Sequence, residues 1–391
     1  MKKILFVIST LNTGGAQRAF SNIIMELPEE YEIDILLNDS ENIVYPYKGK
    51  IIDLGIAPEK NKTKISYQIK VFIKRYFALK KLKKKNGYVA CISALESANF
   101  VNILTGRKKC KCIISIRNFQ EKKSEKKIIA WLISFVMKRF YNYADKIVAV
   151  SEGIRESLIN DYDLNADKIC TIYNGYNVEK IIKDSQMPID DNIKIDLSGN
   201  TIVASGRLTE QKGFEYLIKC FSKIAYDFPD SKLIILGEGE LREHLYEYIA
   251  KLGLQSRIFM PGFVKNPYTI ISKCKIFVLS SLYEGYPNVL AEAIICGIPC
   301  IATDCRTGPR EILANGLEKE DKMLFEEAKY GILCTSFLSN EDKAEESVEG
   351  ALRELLTNSR LYNEYKCNCI LKRKEMEMKN IIQQWISVID E

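Results

Sequence analysis

The sequence predicts an α/β protein of two domains, each built on a mainly parallel β-sheet. Three observations carry that prediction. The chain has 391 residues, 47% of them hydrophobic, which is enough for two cores. Short β-branched runs alternate with helical segments along its length. A strand–glycine turn–helix unit opens each half, at KILFVI–STLNTGG and at TIVAS–GRLTEQKGF.

In the first half, KILFVI leads through STLNTGG into a helix expected from about Ala16 to Leu27. Gly14-Gly15 is not a G-x-G-x-x-G, which disfavours a nicotinamide or flavin site, but paired glycines let a ligand approach the backbone closely. YEIDILL, KIIDL, YVACISA, KCIISI and DKIVAVS read as further strands. Arg117 and Asn118 follow KCIISI, at a strand's C-terminal end, where α/β domains bind ligands. The turn YNG at 173–175 closes the domain, and the polar residues 180–198 read as the connection to the next.

The second half opens with TIVAS and GRLTEQKGF. There Gly206 allows close approach, Arg207 can fork onto phosphate oxygens, and Lys212 adds a point charge before a helix. KLIILGEGELREHL repeats the unit, and RIFMPGF adds an edge strand. KIFVLS reads as a buried strand ending in the loop Glu284-Gly285-Tyr286. Pro287 suits the first turn of a helix to about Cys296, which Gly297 ends. IPCIAT and YGILC are strands, residues 340–358 are helical, and Tyr362 to Ile389 reads as one long helix.

Charge divides the chain. Residues 1–175 hold 30 Lys and Arg against 18 Asp and Glu, giving +12, and the remainder holds 27 against 33, giving −6. Residues 60–85 carry eleven basic residues and no acid on a broadly amphipathic pattern, and a second basic cluster runs from Arg117 to Lys127. The first stretch is either a solvated helix face or a face for anionic lipid headgroups. No base-reading or stacking motif accompanies it, which disfavours nucleic acid. No apolar run is long enough for a transmembrane helix or a signal peptide, so a cytoplasmic protein is expected. Most of the twelve cysteines lie in apolar runs, and Cys110/Cys112 and Cys367/Cys369 lack zinc-knuckle spacing. The single histidine, His244, sits in the charged run LREHLYEYI and reads as a surface residue, which disfavours triad hydrolases.

The stretch most suggestive of chemistry is 280–312. Glu284 lies in a loop and Glu292 more than a helical turn further in, beside the unpaired amides of residues 286–289. Two carboxylates suit a polyol better than a phosphate, while the helix start and nearby cations suit a diphosphate. Taken alone, the pair is equally an N-terminal helix charge and a solvated helix residue.

SGRLTEQKGF, LGEGELR and EGYPNVLAEAIICGIPCIATD resemble the nucleotide-sugar domain of the glycosyltransferase family 4 enzymes. LNTGGAQR and TIYNGYN extend the resemblance over essentially the whole chain. It implies a GT-B fold: two Rossmann-like domains with parallel sheets facing across a cleft, and a C-terminal helix crossing back to the first domain. The implied domains are 1–178 with 370–391, binding acceptor, and 179–369, binding nucleotide sugar. The resemblance gives Arg207 and Lys212 the diphosphate and Glu284 the donor sugar's hydroxyls, with Gly285, Tyr286 and Pro287 beside it. Asn288 would aid the phosphates, Glu292 would accept from ribose, and Phe263 would line the base pocket. Gly206 would allow the diphosphate close, and Gly14 and Gly15 would approach the donor from the other domain. Many relatives carry a histidine in the first domain; here Arg117-Asn118 occupies the comparable strand end.

The implied activity is a retaining transfer from a nucleotide-diphosphate sugar, UDP being the prior, to a hydroxyl of a lipid-linked oligosaccharide. Capsule, exopolysaccharide or O-antigen assembly would be the setting. No cofactor and no metal are expected, and the partners are the sugar nucleotide, the acceptor and an anionic membrane surface at the inner face of the cell membrane. The alternatives are a non-catalytic partner that binds sugar nucleotide or membrane, and a sugar-nucleotide epimerase of the same fold.

Overall fold

A computed structural model describes residues 1–12, 14–56, 65–106, 110–118, 135–314, 316 and 324–391. The chain forms two compact units, Met1–Tyr176 with Glu377–Glu391, and Asn177–Met376. Lys60, Lys62, Lys64 and the basic cluster Lys122–Lys127 lie outside the described residues.

The first unit holds a seven-stranded sheet of β1 (Lys2–Val7), β2 (Tyr31–Leu37), β3 (Lys50–Asp53), β4 (Ala90–Ala94), β5 (Lys111–Ile116), β6 (Lys146–Ala149) and β7 (Ile169–Thr171). Its order is β3-β2-β1-β4-β5-β6-β7, with every pairing parallel. Strands of this kind are buried on both faces, which is why β1 and β4 read as continuous apolar runs. The second unit holds β8 (Thr201–Ser205), β9 (Lys232–Leu236), β10 (Ile258–Gly262), β11 (Ile276–Leu279), β12 (Cys300–Thr303), β13 (Phe325–Ala328) and β14 (Gly331–Cys334). Their order is β10-β9-β8-β11-β12-β14-β13, and only β13 with β14 is antiparallel. Both sheets are doubly wound and reverse direction beside their first strand, as in a Rossmann-like domain.

The glycines of the second unit are set by backbone contact. Gly237 has φ of 143°, and a Cβ there would lie 1.9 Å from the carbonyl oxygen of Gly206. The turns after β8 and β9 are therefore pressed together, tied by Leu208 N–H to the Glu238 carbonyl at 2.9 Å.

Four expectations change. The polar connection at 180–198 begins inside a helix, Val178–Ser185, because Asn177 caps it and Val178 and Ile181 are buried. The crossing between units falls at Tyr176/Asn177. The long final helix is two, Ser359–Lys372 and Met378–Asp390, separated by a 3₁₀ turn at Arg373–Met376. The break coincides with the return crossing, so residues 370–376 stay with the second unit. The edge strands β7 and β13 were not anticipated, because ICT is only three residues long and FEEA alternates weakly and is only partly buried.

The last helix completes the first unit. Met378, Ile381, Ile382, Trp385, Val388 and Ile389 pack into one apolar cluster with Ile4, Phe6, Phe20 and Ile24. Trp385 is fully buried there, so Trp385→Ala should cost about 3–5 kcal/mol. Urea unfolding of the full chain checks this, and a loss below ~1 kcal/mol would mean that the helix only rests on the surface.

Candidate functional site

Two segments of the second unit leave the C-terminal ends of adjacent strands. The segment after β8 carries Gly206, Arg207 and Lys212 into the helix Phe214–Asp227, and the segment after β11 carries Glu284 into the helix Asn288–Cys296. This edge is where open α/β sheets bind ligands. An ion pair joins the two segments: Lys212 Nζ lies 2.5 Å from Glu284 Oε1, with both side chains largely buried. Ser281 Oγ donates to the same oxygen at 2.7 Å. Backbone ties hold the segments in register, with Ser280 Oγ donating to the Lys212 carbonyl at 2.8 Å and Leu282 N–H to the Gln211 carbonyl at 2.8 Å. A Cβ on Gly206 would stand 3.1 Å from Lys212 Cε, so the glycine makes room for the lysine stem.

Arg207 is exposed, and its side chain makes no ion pair or hydrogen bond among the described residues. Burial raises the Tyr283 phenol, and the charge of Arg207 acts in the opposite sense, which sets the guanidinium close to the Glu284 loop. Gly285 and Pro287 are buried, while Tyr286 and Asn288 are half-buried at the helix start. Gly297 ends that helix with φ of 83°. Glu292 is 2% exposed, so it is not a solvated helix residue, and Glu284, at 7%, is also buried. Phe263 is exposed just beyond β10, at the far edge of the same sheet. The unit therefore unites Gly206, Arg207, Lys212 and Glu284 on neighbouring segments, with Glu292 along the following helix.

In the first unit, Gly14 and Gly15 form the turn between β1 and the helix Gly15–Glu26, Gly14 having φ of 126°. Arg117, one residue beyond β5, is 7% exposed. Its guanidinium donates to Asn174 Oδ1 and, at 3.3 Å, to Ser115 Oγ, and lies 5.8 Å above the Phe20 ring. Burial pushes it down to about 10. A cavity of about 50 Å³ opens beside it, lined among others by Leu95, Glu96, Asn99, Ser115 and Asn118. Leu95 has φ of 74° and ψ of 148°, a region costing a non-glycine residue about 1–3 kcal/mol.

The basic stretch is a helix, Ile65–Lys85. It is not uniformly solvated. Arg75 is buried and donates to Asn38 Oδ1 at 2.8 Å, Ser97 Oγ at 2.6 Å and Ser9 Oγ at 3.4 Å. Lys83 is also buried, with Nζ 2.8 Å from the Asn102 carbonyl and 2.6 Å from Asn102 Oδ1. A solvated basic face is thus corrected for these two residues. His244 is on the surface, 3.0 Å from Glu215. Ser281, Asn174 and Phe20 escaped the sequence analysis, since a serine, an asparagine and a phenylalanine carry no pattern of their own.

Residues 186–367 match the family described as glycosyl transferases group 1, and residues 13–180 match glycosyltransferase family 4. An uncharacterized glycosyltransferase of Methanocaldococcus jannaschii is 30% identical over 362 residues, 88% of each chain. A Campylobacter jejuni protein named N-acetylgalactosamine-N,N'-diacetylbacillosaminyl-diphospho-undecaprenol 4-alpha-N-acetylgalactosaminyltransferase is 27% identical over 386 residues, 97% of each chain. Among solved structures, Anabaena HepE in complex with UDP and glucose superposes with a TM-score of 0.76 at 16% identity, covering 100% of both chains. At that identity the likeness speaks for the fold.

The buried pair makes a stability prediction. Lys212→Met leaves the Glu284 carboxylate buried without its cation and should destabilise the second unit by about 3–5 kcal/mol. Adding Glu284→Gln should recover most of that loss in a double-mutant cycle. A single variant as stable as the parent would show that water, not Lys212, satisfies Glu284.

Proposed function

The chain belongs to the glycosyltransferases, and on that premise we propose that it transfers a sugar from a nucleotide-diphosphate donor to a hydroxyl of a lipid-linked oligosaccharide. The single observation that carries this is the Lys212–Glu284 pair beside an exposed Arg207. Such a cluster offers cations to a diphosphate and a carboxylate to sugar hydroxyls within one site. HepE's complex with UDP and glucose supports UDP as the nucleotide, and the Campylobacter relative's name supports an acceptor on a diphospho-undecaprenol carrier in surface-polysaccharide assembly.

The chemistry follows from charge. As the anomeric bond breaks, positive charge grows on the sugar and negative charge on the departing diphosphate. Arg207 and Lys212 take up the latter, together with the amides at the start of the helix Asn288–Cys296, the work that a divalent cation does elsewhere. Ser281 keeps Glu284 oriented, so that its second oxygen can accept from a sugar hydroxyl. Glu292 accepts from ribose. The acceptor hydroxyl attacks from the face the leaving group departs, passing its proton to the phosphate, so configuration is retained without a dedicated base.

Release of nucleotide diphosphate from sugar nucleotides in the presence of lipid extract tests the proposal. Turnover should persist in chelator, and Arg207→Ala should lower it by about 10- to 100-fold, the loss of one charge-assisted contact. A strict, restorable requirement for Mg²⁺ or Mn²⁺ would overturn the cationic diphosphate site.

The helix Ile65–Lys85 gives the enzyme a membrane face. Ile69, Ile73 and Phe77 are 52%, 48% and 64% exposed, one apolar stripe at i, i+4 and i+8. Exposed Lys80 and Lys84 extend the stripe, and Lys70, Lys74 and Lys81 flank it. Each lysine near an anionic bilayer contributes about 1 kcal/mol. Co-sedimentation should therefore appear with anionic but not neutral vesicles and weaken with salt. Replacing Lys80, Lys81, Lys84 and Lys85 by Gln should reduce it, leaving the buried Lys83 in place. Binding that ignores both lipid charge and these lysines would remove the membrane from the proposal.

A further inference from the structure

The first unit contains a buried cation, Arg117, to which the proposed donor site assigns no role. Arg117 is withdrawn from water, yet its hydrogen-bond acceptors among the described residues, Asn174 and Ser115, are neutral. Among the described residues no carboxylate stands within ion-pair distance of it. A buried guanidinium is costly to keep without an opposite charge, and its fork is shaped for an oxyanion.

Three features of the surroundings agree. The adjacent cavity, at about 50 Å³, holds roughly four water-sized atoms, the size of one tetrahedral oxyanion. The helix Glu96–Leu104 starts at that cavity with no side-chain cap, so the Glu96 and Ser97 amides remain available as donors while those of Ala98 and Asn99 bond the Leu95 carbonyl. Leu95, which turns the chain from β4 into this helix, holds a backbone conformation that leucine rarely adopts. Strain of this kind persists where the surrounding structure fixes a geometry for use. The remaining wall is largely apolar, with Met137, Tyr141, Ile154 and Leu158.

From this juxtaposition we infer that Arg117 and its cavity form an oxyanion subsite in the first unit that takes a phosphate group of a lipid-linked diphosphate. Arg207 and Lys212 belong to the other unit. Attributing the phosphate to the acceptor rests on the transferase proposal; the anion site itself does not. Glu96 is exposed at the first turn of the helix and sets a like charge against the ligand.

Calorimetric titration of the full chain carrying Arg207→Ala, Lys212→Ala and Glu284→Gln, the last relieving the buried carboxylate that loss of Lys212 would leave unpaired, tests the subsite without turnover. These substitutions remove the donor-side cations, so remaining anion binding reports the first unit. Inorganic pyrophosphate and farnesyl diphosphate should each bind once, farnesyl diphosphate at least threefold tighter. Adding Arg117→Gln should weaken both tenfold or more, Arg117→Lys should retain most of the affinity, and Glu96→Gln should strengthen binding about twofold. If Arg117→Gln does not fold, Asn118→Trp at the exposed mouth should block binding instead. Pyrophosphate binding that is absent, or indifferent to these changes, overturns the subsite. Equal affinity for the two diphosphates overturns its assignment to a lipid-linked ligand while leaving the donor chemistry untouched.

Discussion

The Lys212–Glu284 pair is the interaction on which the second unit's ligand edge depends. Each residue sits on a segment with little regular structure, and neither segment alone could hold a charged side chain in a fixed direction. Their union through one short ion pair, reinforced by Ser281, turns two loops into one preorganised surface. The arrangement also explains why glycines punctuate it. Gly206 must yield space to the lysine stem, and Gly237 must lie against the Gly206 carbonyl. Side-chain chemistry and backbone approach are thus two aspects of one constraint.

Much of this was legible in the sequence. Parallel sheets are buried on both faces, so their strands announce themselves as apolar runs, and twelve of the fourteen strands in the two sheets fell within predicted runs or their glycine-bounded ends, β7 and β13 being the exceptions. Arg207, Lys212 and Glu284 were readable because strand, glycine and charge recur in an order that places them at a sheet's C-terminal end. What escaped was tertiary. Asn177 capping a helix in a polar stretch, and the 3₁₀ break at Arg373–Met376, depend on where the chain changes units rather than on local composition. Lys83 and Arg75 look like their solvated neighbours in sequence. Only packing against Asn102, Asn38 and Ser97 sets them apart.

The helix Ile65–Lys85 carries two kinds of cation. Arg75 and Lys83 turn inward and satisfy carbonyl, amide and hydroxyl oxygens at the sheet's edge, which fixes the helix's rotation about its own axis. That rotation decides which residues are left outward, namely Ile69, Ile73, Phe77 and the remaining lysines. The buried cations therefore define the exposed face, even though they take no part in it.

The first unit is discontinuous: it pauses at Tyr176 and resumes at Glu377, where the two segments form a bridge and the Met378 N–H bonds the Tyr176 carbonyl at 2.9 Å. During synthesis this imposes an order. Seven strands of the first sheet leave the ribosome early, but the apolar groove that receives Trp385 and Ile382 stays open while the whole second unit is translated. At about 5–20 residues per second, the roughly 200 intervening residues keep that groove exposed for some tens of seconds. The second unit, uninterrupted in the chain, can close its own core first. The nascent first unit is then a ready client for holdase chaperones, and premature termination anywhere in the second unit leaves a complete sheet with its apolar groove uncovered rather than a free-standing domain.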